Sequence, residues 1–166
     1  MKSRLVSGIV GALLALGLTA APAVAETTSQ ESSYYKGKTV VTVDPGAVTA
    51  FGFFNIRVDA LRPASGASPA YTFPVQRNRH GVTELAGGLQ FTANDKCLAA
   101  YAPVVNTKTG VVKAWVSSGG KIDLFSLNGQ SLVLTDAGAK ALNDGLGFTG
   151  LFSVGFVFGT YATTGV

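Results

Sequence analysis

Beyond residue 37 the chain alternates short runs of Val, Thr, Ile and Phe with glycine-rich breaks, and its apolar positions recur at every second residue. Lys38–Asp44 (KTVVTVD) reads as a strand that Pro45 ends. PGAVTAFG, which follows, makes about two helical turns, with Pro at a first-turn position where its missing N–H costs little. Asn55–Leu61 places Ile56, Val58 and Ala60 on one face and Asn55, Arg57 and Asp59 on the other, the pattern of a half-buried strand. RPASGASPA at 62–70 is all breakers and small polar residues, and predicts a loop. Tyr71–Val75 (YTFPV) predicts a strand whose Pro74 needs an edge or a bulge, and QRNRHG after it reads as a small basic loop.

The second half has a simpler rhythm. In GVTELAGGLQF (81–91) a Gly-Gly pair separates two apolar runs and reads as a bend between strands. It does not open a helix in the G-x-G-x-x-G manner of a phosphate loop. Leu89–Thr92 and Lys96–Val105 flank the turn ANDK, and Gly110–Ser117 and Lys121–Leu127 flank Ser118-Gly119-Gly120. These two hairpins, joined by a turn at Asn106–Gly110, form a meander. Leu134–Leu146 breaks the pattern, with Thr135 or Asp136 as N-cap and Leu134, Ala137, Ala141 and Leu142 on one face; the helix is expected to end near Gly145. FSVGFVFGTYATT then closes the domain with a strand. The fold class is all-β, a mostly antiparallel β-sandwich or twisted sheet with one or two short helices.

The first residues differ in kind. Lys2 and Arg4 precede an apolar stretch at Leu5–Ala20, and Ala23-Val24-Ala25 is the small-x-small pattern of a signal-peptidase site. Residues 1–25 are therefore expected to be a signal peptide, 26–37 a polar flexible leader, and 38–166 one β domain. The apolar stretch is short for a membrane span and no basic stop-transfer flank follows it, so no span is expected after cleavage. The protein is placed outside the cell or at the cell wall.

Charge narrows the partners. The formal charge of the whole chain is +4, and loss of Lys2 and Arg4 brings it closer to balance. The remaining basic residues are spread without a run, so no nucleic-acid footprint is present. A single cysteine, Cys97, excludes an internal disulfide. Lying in the apolar run KCLAAYAPV, it is read as a buried inert thiol, with pairing between chains as the alternative.

Candidate chemistry is sparse. The chain has one histidine and 13% charged residues. No G-x-S-x-G turn, zinc-ligand spacing or calcium loop is present. Asp59, Glu84, Asp95, Asp123, Asp136 and Asp144 all fall on polar faces or in turns. These features point away from an enzyme and from a metal site. His80, Tyr71 and Tyr101 are the donors that a bound ligand could use. Lys113, Trp115 and Ser117 share one strand face opposite Val112, Ala114 and Val116, so Trp115 is either a contact surface or covered by the terminal strand.

The order of FPV at 73–75, GVTELAGGLQF, PVVNTKTGVVKAWV, KIDLFSL and LTDAGAKALNDGLGFTGLFSVGFVFGT resembles the Htaa-type domain. That family comprises secreted or surface-attached actinobacterial modules best known from haem-transport-associated proteins. The resemblance covers most of residues 38–166, and the pattern LT-x-x-GA-x-AL followed by F-x-x-G-x-x-FG is its most specific part. It implies a twisted, mostly antiparallel β-sandwich-like fold. In haem-binding members it also implies a tyrosine iron ligand backed by a histidine. Here the tyrosine-bearing segment W-G-x-K-x-S-F-x-x-Y has no counterpart, and Leu85 stands where the family's histidine would be. The function expected is a secreted, non-enzymatic binding or structural module at the cell envelope or outside the cell, with a cell-envelope component or a small apolar ligand as its partner. The alternative is a carrier of haem or a small apolar ligand that uses residues other than the family's.

Overall fold

The computed structural model describes residues 34–166. The expected signal peptide and most of the expected leader lie outside the described residues. In chain order the elements are β1 (Lys38–Val43), α1 (Pro45–Phe53), β2 (Arg57–Leu61), β3 (Ser65–Ala67), β4 (Ala70–Arg79), β5 (Val82–Leu85), β6 (Gly88–Ala93), β7 (Lys96–Asn106), β8 (Val111–Val116), β9 (Gly120–Asn128), β10 (Ser131–Leu134), α2 (Asp136–Leu146) and β11 (Val157–Thr164). All strand pairs are antiparallel. The all-β expectation with two short helices holds, and the sheet closes on itself. Eight strands form a barrel in the order β7-β5-β4-β1-β11-β10-β9-β8, with β8 returning to β7.

Closure depends on β7, which is long enough to serve two neighbours along one edge. Its Val104–Asn106 end pairs with β5, and its Lys96–Tyr101 end pairs with β6. Strands β5 and β6 are thus two lengths of one bent strand, and the corner is Ala86-Gly87. Gly87 has φ +85, and a Cβ there would collide with the Ala64 nitrogen and the Leu61 oxygen. At Gly88 a Cβ would strike the Ala100 oxygen. The glycine pair is therefore a bend held by close backbone approach.

Below that corner, β6 carries β2 as an outer strand. No ladder joins β2 to β4. The seam is spanned by Tyr71 of β4, which is fully buried and donates a 2.9 Å hydrogen bond to the Val58 carbonyl of β2. Inward residues of all walls meet in an aromatic floor, where the Phe158 ring lies 5.2 Å from Phe125, 6.0 Å from Phe91 and 6.1 Å from Phe51 of α1. Helix α2 plugs the same end of the barrel with buried Leu142 and Leu146. Both helices are capped from their own sequence. The Asp44 carboxylate accepts from Gly46 N, and the Thr135 hydroxyl accepts from Gly138 N while donating to the Asp123 carbonyl.

Several local expectations change. Residues 62–70 contain the short strand β3, hydrogen-bonded to β4. QRNRHG is not a loop: Gln76–Arg79 continue β4, and only His80-Gly81 turn, both with positive φ of 53° and 78°. Pro74 sits where one edge of β4 passes from β3 to β5. The place of its missing N–H falls between the two ladders, and a bulge between Val75 and Arg77 follows directly. Strand β10 went unpredicted, and Leu134 is its last residue. The buried face of α2 is accordingly Gly138, Ala139, Leu142 and Leu146, while Ala137 is exposed. The helix ends at Gly147, in the left-handed region at φ 74°, and Gly145 instead lets Leu98 approach the helix. Cys97 is exposed. Leu98 and Ala100 occupy the inward positions of β7, so alternation turns Cys97 outward. The last residues of the expected leader are docked: Lys36 N donates to the Val75 carbonyl, and the Gly37 carbonyl accepts from Val75 N.

Candidate functional site

With α1 and α2 at one end, the opposite end of the barrel is left to strand termini and short turns. Thr39 is the second residue of β1, Thr83 lies near the start of β5, and Thr163 lies near the end of β11, all on inward positions. Across β4 and β5, Asn78 is the register partner of Thr83, and Val105 of β7 is its partner on the other side. Gln130, in the β9–β10 turn, accepts the backbone bond from Tyr161 N and so stands beside β11. Asn78, Thr83, Val105, Gln130 and Thr163 are among the residues that line a cup of about 270 Å³, whereas Thr39 faces the barrel interior below it.

Below the cup the barrel is apolar. A narrow internal cavity of about 50 Å³ runs between Val41, Phe73, Leu85, Val112 and Phe125. Cup and cavity share Val105 and Tyr161. Ligand sites for drug-sized molecules occupy about 300–1,000 Å³, so the cavity holds no sizeable ligand, whereas the cup is close to that range. The cup is lined by uncharged side chains, with more apolar than polar surface. The Thr39 and Thr163 hydroxyls share a 2.8 Å hydrogen bond, and the Thr107 hydroxyl donates to the Gly81 carbonyl at 3.1 Å. Thr83 is 7% exposed, and its hydroxyl reaches only the Asn78 side-chain oxygen, at 3.5 Å. Among the described residues, the Gln130 carboxamide and the Tyr161 hydroxyl make no hydrogen bond.

The three donors singled out in the sequence do not converge. Tyr71 lies inside the wall with its hydroxyl committed to Val58. Burial raises its pKa above the ordinary phenol value, helped by the Asp59 carboxylate and opposed by a backbone hydrogen bond at Ser68. Tyr101 points outward from β7 and is 43% exposed. His80 is exposed at the tip of the β4–β5 hairpin, next to Gly81 on the cup's rim. Leu85 faces the interior cavity at 3% exposure, so the place of the family's histidine is an apolar wall position here.

Outside the barrel, Tyr101 and Trp115 stand opposite each other on β7 and β8, with Lys121 next along the row. The terminal strand does not cover Trp115, which is 44% exposed. Carboxylates of the strands and of α2 are paired with bases at the surface: Asp59 with Arg57, Asp123 with Lys113, and Asp144 with Lys140 on α2, at 2.7–2.8 Å, and Glu84 with Arg77 at 3.6 Å. No group of three or more metal-ligating side chains occurs among the described residues. Nor is any helix among them long and apolar enough to cross a membrane.

The sequence alone does not single out the cup residues Asn78, Thr83, Gln130, Tyr161 and Thr163. Their one signal in the sequence is polar residues at inward positions near strand ends, which alternation alone does not separate from ordinary turn chemistry. Comparison with known protein families, with curated proteins and with solved structures finds no match to this chain.

Proposed function

We propose that the protein is a non-enzymatic binding module of the Htaa-like type that acts outside the cell or at its envelope, and that it takes its ligand at the open end of the barrel. The observation that carries this reading is the uncharged cup of about 270 Å³, in which hydrogen-bonding side chains stand among apolar ones and the nearly buried Thr83 hydroxyl has only a 3.5 Å contact to Asn78. A nucleophile with an adjacent base would have favoured an enzyme, but the wall carboxylates are held in exposed ion pairs and His80 projects into solvent. The secreted location rests on the signal-like segment Lys2–Ala25.

Amide chemical-shift mapping of the ¹⁵N-labelled protein against a library of small compounds tests the reading. Binders are expected to move the resonances of Asn78, Thr83, Gln130 and Tyr161. Shifts confined to the Tyr101–Trp115 face would instead place recognition on the outer wall and overturn the cup.

The carrier reading has one observation in its favour, the apolar cavity beneath the cup. That cavity is far too small for haem, so haem would have to sit at the rim beside His80. Haemin added to the pure protein is expected to give no sharpened, shifted Soret band. A shifted band that His80→Ala abolishes would establish the carrier instead.

A further inference from the structure

We propose that the cup holds a neutral sugar ring, free or at the end of a glycan. The inference rests on the binding reading above and names its ligand class.

Charge is the first discriminator. The side chains that line the cup include no carboxylate, ammonium, guanidinium or imidazole. Lys108 and His80 reach only the rim, beside Gly81, so a charged ligand would lose hydration within the cup without a counter-charge among the side chains that line it. Hydrogen-bonding character is the second. Asn78 and Gln130 each present a carbonyl acceptor and an amide donor side by side, and Thr83 adds a hydroxyl that can do either. Neighbouring hydroxyls on a sugar ring need this pairing of donor with acceptor. An alkyl ligand would leave the Thr83 hydroxyl with only its long contact to Asn78 and would give the Gln130 carboxamide no partner, whereas a hydroxylated one completes them.

The walls supply the third argument. The Tyr161 ring and Val105, which also line the cavity beneath, give the cup apolar surface that can meet the C–H face a sugar ring presents between its hydroxyls. Size is the fourth. The cup narrows from about 270 Å³ into a cavity of about 50 Å³, so it admits one ring and offers no channel for a chain to continue inward.

The test is amide shift mapping with glucose, galactose, mannose and N-acetylglucosamine, their methyl glycosides, and glucuronate as the charged counterpart. Neutral sugars are expected to move Thr83, Gln130, Tyr161 and Thr163 with dissociation constants of about 1 mM, the range for so few non-hydrogen atoms. Glucuronate is expected to bind more weakly. Gln130→Ala, at an exposed turn position, is expected to weaken binding about tenfold, as is the near-isosteric Thr83→Val. Methyl glycosides that bind as well as the free sugars identify a glycan end. Binding of the free sugars alone identifies a monosaccharide, and either result upholds the proposal. If neutral sugars leave the cup unmoved while other compounds shift it, the sugar assignment fails and the binding site stands. If no compound shifts the cup, both fail.

Discussion

The Tyr71 hydroxyl is held in the seam between β4 and β2, where burial and then the Asp59 carboxylate oppose its ionisation. Below about pH 10 the folded and unfolded chains both keep this proton, and Tyr71 adds no pH dependence. Above that value the unfolded chain ionises first, so stability falls as pH rises towards the raised folded pKa. Tyr71→Phe is expected to cost about 1–2 kcal/mol at neutral pH, because the Val58 carbonyl loses its donor, and to remove this part of the alkaline loss. Urea titrations at neutral pH and above pH 10 check both signs. A second prediction concerns Cys97, whose outward place follows from inward Leu98 and Ala100. It is expected to react fully with a thiol-specific disulfide reagent in the native protein. Reaction only after unfolding would mean that β7 is shifted by one residue, since such a slip turns every side chain to the other face. The apolar company of Cys97 suggested burial, but at this scale alternation is the better guide than composition.

At the scale of elements, the hairpins, the closing strand and both helices were legible because their signals are local: Pro45 after Asp44, Asn94-Asp95 between two strands, Thr135 ahead of α2. What was not legible depends on neighbours. Strand β10 is four residues long and has meaning only between β9 and β11. Gln76–Arg79 look like a loop because they are polar, yet they form the exposed end of β4 and are paired by β5. The Gly87-Gly88 corner lies between these cases, since its glycines announce a bend without saying what comes close. Gly88→Ala is expected to destabilise the protein by about 1–3 kcal/mol, because the added methyl meets the backbone of β7. Gly119→Ala, at a turn where a Cβ meets nothing within 4 Å, is expected to stay within about 0.5 kcal/mol of the parent. Shifts in the urea midpoint at constant slope measure the two together. Equal effects would remove the close-approach account of the corner.

At the scale of the whole molecule, closure and the cup were the least legible features, for one reason. The cup draws on the β4–β5 hairpin, the end of β7, the β9–β10 turn and the end of β11, which meet only after β1 has paired with both β4 and β11. The same closure leaves one weak line, because β2 has β6 on one side and no ladder on the other, with the Tyr71 hydroxyl as its hydrogen bond to β4. Strands β1 and β11, in contrast, are paired along both edges. A wall joined by ladders opens cooperatively, whereas a seam joined by a side chain can part alone. Amide exchange of β2 is therefore expected to report a smaller opening free energy than that of β1 or β11. Tyr71→Phe is expected to speed β2 exchange about fivefold beyond its effect on β1 and β11, the factor for a hydrogen bond worth about 1 kcal/mol. If the substitution accelerates all strands alike, β2 opens only with the barrel, and the seam is no weaker than the ladders around it.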